Sequence, residues 1–393
     1  MKKIVHIMLA GAVTDGFSYQ DNLITKYQRK AGYEVTIITS QWVCDNAGNM
    51  VKSAKSNYIN EDDIKVIRLG LKGRDDFNRK LRSFKNLIGS IDSEQPDILF
   101  IHNMNFIGFG DICKYLNKNK SVKVYVDNHS DKYNSGRNYI SRTILHGVLW
   151  KSNAQRINKY CMKFYGVTPA RVEWLIQQYK LPKNKCELLV FGADDELIDK
   201  AKIQNARSRL RKELNVSDDN VVIVTGGKID NNKRETILLM KAFRNYANPS
   251  IRLVVFGSVI KELKNQFDEL LSYERIVYVG WKNAYEIYEI FMLGDIIAFP
   301  GLHSVLWEQA VGCGKACVFR RLEGFTHVDL NGNCMFFEDT EIDTIRRVLS
   351  ELIETDGWKV MQEVSQRVGM KHFSYKNISI RSIQCGGERN DTL

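Results

Sequence analysis

The chain is poor in proline and lacks long apolar runs, and these shortages limit what it can be. Only five of its 393 residues are proline, and we find no low-complexity linker or short-period repeat. No apolar run approaches the roughly 18 residues that a membrane-spanning helix needs. The apolar run after Met1-Lys2-Lys3 imitates a signal peptide, but it suits a first β-strand better. We therefore expect a soluble or peripheral protein.

Cysteine and metal-binding patterns are also missing. The eight cysteines form no Cys-x-x-Cys pair, and no His/Cys cluster completes a zinc set. No Asp-x-Asp motif stands out at the end of a strand. These absences favour reduced thiols, a cytoplasmic location and no bound metal.

The chain is strongly basic, with a formal net charge of +11. Such a charge favours an anionic partner, which could be a nucleic acid, a phosphorylated substrate or an acidic membrane surface, although it could also serve solubility alone. The charge is not concentrated in one arm and no RNA-binding motif is present. We therefore expect no nucleic-acid partner, and a basic nucleic-acid-binding protein remains an alternative.

Strand-like and helix-like segments alternate throughout the chain, which predicts an α/β protein with parallel sheets. A polar, charged stretch between Gly192 and Asp219 divides this pattern into two units of similar size, and two such units imply a cleft between them. Helices are expected at Tyr19–Lys30 and Asp76–Ile91, among others. The predicted strands of the first half are Ile4–Leu9, Glu34–Thr39, Asp97–His102, Val122–Asp127, Lys163–Val167 and Cys186–Val190, and those of the second half are Val221–Thr225, Arg252–Phe256, Ile276–Val279, Ile296–Phe299 and Ala316–Phe319.

The segment VVIVTGGKIDNNK is a strand that ends in two glycines and is followed by two lysines. Gly226 and Gly227 would let a ligand approach the backbone closely. The ammonium groups of Lys228 and Lys233 could converge on a diphosphate. An ordinary turn with two solvated lysines is the alternative.

The segment DIIAFPGLHSVLWEQAVGCGKACV predicts a buried strand that runs into a helix. Ser304 is a suitable N-cap, and a helix start at the carboxyl end of a parallel strand favours an anion. Glu308 lies one turn further in, where it could accept hydrogen bonds from a neutral part of the same ligand. The alternative for Glu308 is a solvated carboxylate on the helix surface.

Four segments together resemble the retaining glycosyltransferases of family 4. These segments are LLVFGADDELI, GGKIDNNK, AYEIYEIFMLGDIIAFPG and EQAVGCGKACV, and they occur in the expected order over nearly the whole chain. The resemblance implies the GT-B fold, in which two Rossmann-like domains face each other across a cleft and a C-terminal helix crosses back to the N-terminal domain. It further implies an acceptor domain at 1–195, a nucleotide-sugar domain at 196–370, and a terminal helix and polar tail at 371–393.

The resemblance also implies roles for individual residues. Lys228 and Lys233 would stabilise the departing diphosphate, and the N–H groups of Ser304 and Val305 would hold its distal phosphate. Glu308 would bind the ribose hydroxyls.

Further residues are implied at the other strand ends. His129 would lie next to the transferred sugar, although the polar segment Asp127–Asp131 could instead be a simple turn. Gly16 would face the diphosphate with Gly227. Trp281 and Lys282 match the position whose backbone contacts the nucleobase, and packing is the alternative for Trp281.

The chain departs from the family pattern where the first of two glutamates is expected. Pro300 stands eight positions before Glu308, and the loop is shorter, so that His303 falls about where that glutamate belongs. His303 could replace it as a ligand of sugar hydroxyls, or it could cap the following helix.

We therefore predict a glycosyltransferase that moves a sugar from a nucleotide-diphosphate donor to a glycan or polyprenyl-diphosphate-linked acceptor with retention, in surface polysaccharide synthesis. No cofactor beyond the donor is expected, and transfer should be independent of a metal. Two basic stretches with aromatic and apolar residues, 65–91 and 137–160, could form amphipathic helices that bind the anionic inner face of the cell membrane. Core-facing helices with a solvated basic side are the alternative for both stretches. The alternatives are a nucleotide-sugar epimerase with the same fold and a non-catalytic partner subunit.

Overall fold

The computed structural model describes residues 1–45, 49–76, 80–136, 138–231, 233–244, 246 and 248–384. The chain divides into two compact units. Unit 1 contains Met1–Val190 and the C-terminal segment from Ile378, and unit 2 contains Phe191–Asn377. The sequence analysis placed the first boundary at 195/196, within a few residues of this division.

Unit 1 is built on an eight-stranded sheet. Its central strands are rich in Val and Ile and are buried on both faces, as expected for a parallel sheet covered by helices. The strands of unit 1 are β1 (Lys3–Met8), β2 (Glu34–Ser40), β3 (Trp42–Cys44), β4 (Met50–Lys52), β5 (Asn57–Ile59), β6 (Lys65–Leu69), β7 (Ile98–His102), β8 (Lys123–Asn128), β9 (Cys161–Gly166) and β10 (Cys186–Leu188). Its α-helices are α1 (Gln20–Lys30), α2 (Leu87–Glu94), α3 (Phe109–Lys118), α4 (Lys151–Asn158) and α5 (Pro169–Gln177), and a π-helix spans Ser141–Trp150.

The strand order in unit 1 is β10-β9-β8-β7-β1-β2-β6-β5, and β3 pairs with β4 in a separate hairpin. All pairs of the large sheet are parallel except β5 with β6. The chain starts in the middle at β1, builds one side through β2 and β6, and then crosses to β7 on the other side. Such a reversal of direction is a topological switch point, where ligands of doubly wound sheets bind.

One predicted helix of unit 1 is wrong in most of its length. The segment Asp76–Ile91 was expected to be helical, but α2 begins only at Leu87, and residues 77–79 lie outside the described residues. Before α2, Phe84 forms an antiparallel bridge with Leu71, and Asn86 adopts a left-handed backbone conformation with φ 53°. Pairing with a distant segment therefore overrides the local helical pattern, and the 65–91 stretch does not form a basic amphipathic helix.

Unit 2 is built on a six-stranded, entirely parallel sheet. Its strands are β11 (Val221–Ile229), β12 (Ile251–Val259), β13 (Ile276–Tyr278), β14 (Ile296–Phe299), β15 (Ala316–Arg320) and β16 (Cys334–Phe337). Its helices are α6 (Asp195–Ile203), α7 (Ala206–Glu213), α8 (Glu235–Arg244), α9 (Lys261–Leu271), α10 (Ala284–Leu293), α11 (Leu306–Gly312), α12 (Ile342–Glu354), α13 (Gly357–Val364) and α14 (Met370–His372), with a π-helix at Ser365–Gly369 and a 3₁₀ turn at Thr326–Val328.

The strand order of unit 2 is β13-β12-β11-β14-β15-β16. Numbered from the first strand of the unit, this is the order 3-2-1-4-5-6 of a Rossmann fold. The switch point lies between β11 and β14, which pair in register at Ile223 with Ile296. The predicted Rossmann-like architecture is confirmed in both units.

The polar stretch that the sequence analysis assigned as a connection belongs to unit 2 and forms α6 and α7. It is anchored by Asp295 at the start of β14, which is buried. Arg207 Nη2 lies 2.6 Å and Arg211 Nη2 2.9 Å from the Asp295 carboxylate. A buried carboxylate with two guanidinium partners is compensated, so α7, which contains both arginines, is held to the sheet.

The C-terminal helix α15 spans Tyr375–Arg381, and the predicted return of this segment to the N-terminal unit is confirmed. Its end contacts α1 because the Gln28 side-chain amide donates to the carbonyl oxygen of Ser379 and the hydroxyl of Ser382, at 3.2 and 3.0 Å. The polar tail from 385 lies outside the described residues. Within the described parts of the chain, no helix is both long enough and apolar enough to cross a membrane.

Candidate functional site

The loops that follow β11 and β14 in unit 2 meet at the switch point of its sheet. A Cβ atom added to Gly227, which has φ 110°, would lie 3.6 Å from Leu306 Cδ1 at the start of α11. Gly226 has a different reason to be glycine, because a Cβ there would lie 2.2 Å from the carbonyl oxygen of Phe256 on β12. Of these two glycines, only Gly227 therefore faces the space beyond the carboxyl ends of β11 and β14.

Glu308 is fully buried in α11 and is held by two histidines. Oε1 accepts hydrogen bonds from Nε2 of His303, at 2.8 Å, and from Nε2 of His327, at 2.9 Å. The alternative of a solvated carboxylate is therefore wrong. His303 comes from the loop after β14 and His327 from the 3₁₀ turn after β15, so three consecutive segments of the sheet edge converge on one carboxylate.

The other oxygen of Glu308 has no partner. Oε2 is buried and makes no hydrogen bond to the described residues. A buried acceptor without a donor costs about 1–3 kcal/mol, so this oxygen is available to a ligand hydroxyl that can reach it. Burial alone would raise the pKa of Glu308, but the adjacent His303 and His327 lower it to about 2. The carboxylate is therefore ionised at neutral pH.

His303 does not cap α11, and its Nε2 is not free to bind a hydroxyl of the sugar. Its side chain is 8% exposed, its Nε2 is engaged by Glu308, and its ring packs 4.8 Å from that of Phe325 and 5.2 Å from that of Trp307. His303, which stands where the missing glutamate was expected, therefore orients Glu308.

The start of α11 differs from the prediction by one residue. The N-cap is Val305 rather than Ser304, and no side chain caps the helix. The helix has only seven residues, so its dipole is a small source of positive potential. Among the described residues, the N–H groups of Ser304 and Val305 donate to no protein acceptor, which leaves them available to an anion.

The two lysines after β11 differ in their surroundings. Lys228 is exposed, and its Nζ lies 3.3 Å from the Asp230 carboxylate. A phosphate at Lys228 would have to compete with this ion pair, which is worth little in water. Lys233 is partly exposed, and its backbone N–H donates to the carbonyl oxygen of Asp230 at 2.9 Å.

Trp281 and Lys282 follow β13, two strands away from β11. Trp281 is 70% exposed, so the alternative of core packing is wrong. Lys282 pairs with Glu286 at 3.5 Å, and Asn283 and Glu286 form a capping box that starts α10.

The remaining predicted residues lie in unit 1. Gly16, with φ 74°, is in the loop between β1 and α1, and a Cβ there would lie 3.7 Å from Glu61 Oε1. His129 follows β8 and belongs to a second cluster of ionisable groups with Asp21, His102 and Asp127.

This unit 1 cluster is arranged around buried Asp127. Asp127 Oδ2 lies 2.8 Å from His102 Nδ1 and 3.4 Å from His129 Nε2. Asp21, in the first turn of α1, places Oδ1 at 3.1 Å from His102 Nδ1 and 4.0 Å from His129 Nε2. The polar segment after β8 is therefore more than a simple turn.

A chain of hydrogen bonds runs from the cluster into the interior of unit 1. His102 Nε2 lies 2.9 Å from His6 Nδ1, and His6 Nε2 lies 2.7 Å from Gln28 Oε1. Since the Gln28 amide nitrogen donates to the Ser379 carbonyl, its oxygen must accept from His6 Nε2. His6 then accepts at Nδ1, and His102 donates from Nε2.

The pKa values of the cluster follow from burial and mutual charge. Burial and the adjacent His102 lower the pKa of His6 to about 3. Burial alone would also lower the pKa of His102, but Asp127 and Asp21 raise it to about 10. Burial would raise the pKa of both carboxyls, and the neighbouring imidazoles instead hold it below the ordinary value. Without another cation, His102 is therefore an imidazolium at neutral pH.

Part of each cluster could not be assigned from the sequence. His327 could be placed in the loop after the strand that follows Glu308, but no local pattern gives its contact with Glu308. His6 could have been singled out, because it is the one polar side chain among the buried residues of the strand KIVHIM, and such a side chain needs a partner.

No protein-family profile and no curated protein sequence matches the chain. Solved structures resemble it over almost its full length. A glycosyltransferase from Rickettsia africae is 16% identical with a TM-score of 0.66, over 97% of this chain and 96% of that chain. Sucrose-phosphate synthase from Thermosynechococcus elongatus is 11% identical with a TM-score of 0.65, over 97% of each chain.

HepE of Anabaena, solved with UDP and glucose, is 14% identical with a TM-score of 0.62, over 97% of this chain and 98% of that chain. Identities this low establish the fold alone, and the predicted GT-B fold is confirmed. The similar structures are mostly glycosyltransferases, and one is a putative UDP-N-acetylglucosamine 2-epimerase from Listeria monocytogenes.

The lowered pKa of Glu308 predicts how stability depends on pH. The folded pKa of about 2 lies below the ordinary value of 4.5, so its stabilising contribution is complete above pH 4.5 and lost as the pH falls through 2. Its size is on the order of 3 kcal/mol at about 1.4 kcal/mol per pKa unit.

We expect Glu308→Gln to lower the free energy of unfolding at pH 7, and the difference from wild type to shrink by about 1.4 kcal/mol per pH unit below pH 4.5. Urea denaturation at a series of pH values measures this difference. A difference that stays constant between pH 7 and pH 3 would contradict the assignment of an ionised, histidine-bound carboxylate.

Proposed function

We propose that the protein is a retaining glycosyltransferase whose unit 2 binds a nucleotide-diphosphate sugar. The observation that carries this proposal is Glu308 at the switch point of the unit 2 sheet. Two histidines saturate one of its oxygens and fix its orientation, while the other oxygen is buried without a donor. The ribose hydroxyls of a nucleotide would supply that donor, as the family resemblance implies.

The neighbouring groups suit the diphosphate of such a donor. The N–H groups of Ser304 and Val305 lie at the start of α11, about one turn before Glu308. Lys228 lies near the end of the adjacent strand β11, and Lys233 lies in the loop after it. Backbone N–H groups and ammonium groups placed in this way stabilise the negative charge that develops on a leaving group. This electrostatic stabilisation is usually the largest contribution to catalysis. We propose no metal ion at the diphosphate, because two lysines are placed for the same task.

The proposed reaction breaks the bond between the sugar C1 and the diphosphate oxygen. The acceptor hydroxyl oxygen attacks C1 from the same face, and its proton passes to the departing phosphate. No side chain is assigned as a nucleophile. His129 is proposed to contact the transferred sugar on the strength of the family resemblance.

We further propose that unit 1 docks on an anionic membrane that carries a lipid-linked acceptor for surface polysaccharide synthesis. The second basic stretch is helical, and it exposes an apolar face that consists of Tyr139, Ile140, Ile144 and Val148. These side chains are 74, 67, 53 and 60% exposed, respectively, and the last three are spaced four residues apart.

Basic groups surround this apolar face. Arg142 is exposed between Ile140 and Ile144, and Lys80 lines one surface pocket together with Tyr139 and Ile140. Apolar side chains flanked by cations suit the headgroup region of an anionic bilayer, where each basic residue contributes about 1 kcal/mol.

The donor site predicts selective binding of one class of ligand. A thermal-shift screen of nucleoside diphosphates and their sugars should give a rise in melting temperature with one base, since a ligand at 100 times its Kd stabilises by about 2.7 kcal/mol. With the donor identified, Lys233→Ala should lower kcat at least tenfold with a smaller change in nucleotide affinity. The control is Lys261→Ala, which removes an exposed lysine of α9.

No stabilisation by any nucleotide would overturn the proposed function, and unchanged kcat in Lys233→Ala would overturn the role of that lysine. Conversion of the nucleotide sugar to its epimer without an acceptor would favour the epimerase instead. Activity that is lost in EDTA and restored by Mn²⁺ would contradict the proposal of a metal-free diphosphate site.

Membrane docking is tested by sedimentation with vesicles. Wild type should sediment with vesicles of phosphatidylglycerol and phosphatidylcholine, less at high salt, and not with phosphatidylcholine alone. Ile144→Glu should reduce the bound fraction several-fold, since it places a carboxylate in the apolar face. The matched control is Ile59→Glu, because Ile59 is 59% exposed in the same unit. Equal binding by both variants would contradict docking through this face.

A further inference from the structure

We infer that the unit 1 cluster is a zinc site with Asp21, His102, Asp127 and His129 as ligands. This departs from the expectation of no bound metal, and it gives His129 the role of a metal ligand in place of the proposed sugar contact, while the proposed donor site in unit 2 does not depend on it. The four candidate ligand atoms, His102 Nδ1, His129 Nε2, Asp21 Oδ1 and Asp127 Oδ2, all lie within 4.8 Å of one another.

The distances suit a small ion at the centre of these atoms. Ligand atoms about 2.0–2.2 Å from a tetrahedral zinc ion lie about 3.3–3.6 Å from one another. The separations between each imidazole nitrogen and each carboxylate oxygen are 2.8, 3.1, 3.4 and 4.0 Å, which scatter around that value. Two carboxylates and two imidazoles also form a ligand set that zinc accepts.

The hydrogen-bond geometry of His102 indicates whether its Nδ1 binds a metal ion or donates a hydrogen bond to a carboxylate. His102 is 2% exposed, and its Nδ1 lies within 3.1 Å of carboxylate oxygens of Asp21 and Asp127. Nevertheless it makes no hydrogen bond of acceptable geometry to either. The N–H direction of this nitrogen therefore meets neither oxygen well, as expected of a ligand whose neighbours share a central ion.

Unit 2 provides an internal comparison. Its cluster of His303, Glu308 and His327 has a similar composition, but there both imidazoles point at one carboxylate oxygen and form well-directed hydrogen bonds. In that cluster the Nε2 atom of each imidazole is satisfied by the carboxylate without a metal, and only Glu308 Oε2 and His327 Nδ1 have no partner among the described residues. The geometry at Asp127 is therefore not a general property of histidines beside buried carboxylates in this protein.

The hydrogen bonds behind His102 fix the tautomer that a metal requires. Gln28 accepts from His6 Nε2, so that His6 accepts at Nδ1 from His102 Nε2. A neutral His102 then presents the lone pair of Nδ1 to two carboxylates, which is repulsive unless a cation lies between them. An outer hydrogen bond of this kind is usual for metal-bound histidines.

Charge balance supports the same ion. Asp127 is fully buried, and two carboxylates around neutral imidazoles leave a charge of −2, which a divalent cation cancels.

The test is the metal content of the full-length protein purified without chelators. Elemental analysis should give about one zinc per chain in wild type and a several-fold lower content in Asp127→Asn and Asp21→Asn. His327→Gln is the matched control and should keep its zinc, because it alters the other histidine–carboxylate cluster. Zinc below a tenth of an equivalent in wild type, or full occupancy in both Asp variants, would overturn the site.

A second measurement avoids variants that fail to fold. Wild type stripped with 1,10-phenanthroline should melt at a lower temperature, recover with Zn²⁺ but not with Mg²⁺, and show the visible absorption of a tetrahedral centre with Co²⁺. No change in melting on stripping and no Co²⁺ absorption would assign the position to a proton.

Discussion

A carboxylate that is removed from water must be compensated, and this requirement governs the functional edge of both sheets. Glu308 in unit 2 and Asp127 in unit 1 are completely buried. Asp127 lies at the carboxyl end of the parallel strand β8, and Glu308 lies in the helix α11 that follows the parallel strand β14. Leaving either uncompensated would cost several kcal/mol. Histidines from neighbouring strand ends supply the compensation, and in doing so they fix the loops in which the proposed ligand-binding residues lie.

The two units meet this requirement in different ways. In unit 2 one oxygen takes both imidazole N–H groups, and the second is left for a ligand. In unit 1 the imidazoles and carboxylates surround a common point, and a further histidine continues the hydrogen-bond chain into the core. The first arrangement suits a hydroxyl group, and the second suits a cation.

The fold could be predicted from sequence because its central strands are apolar runs with clear ends, and β14 was predicted to the residue. The short strands β3, β4, β5 and β16 were missed, since three or four residues carry no clear period. The five-residue strand β6 was also missed, because it lies in the stretch 65–91 that was interpreted as a basic amphipathic segment. The false helix at Asp76–Ile91 arose because bridges to distant segments override local preference. Glu308 could be singled out from its motif. Its pairing with His327 could not, because that contact depends on how successive loops of the sheet edge come together.

The central claim is that the free oxygen of Glu308 binds a ribose hydroxyl. Isothermal titration of wild type and Glu308→Gln with the preferred nucleoside diphosphate and its 2′,3′-dideoxy analogue measures this interaction directly. A charge-assisted hydrogen bond of about 1.5–3 kcal/mol predicts at least tenfold weaker binding of the analogue to wild type, and little discrimination by the variant. Equal binding of both ligands to wild type, or equal discrimination by both proteins, would contradict the account.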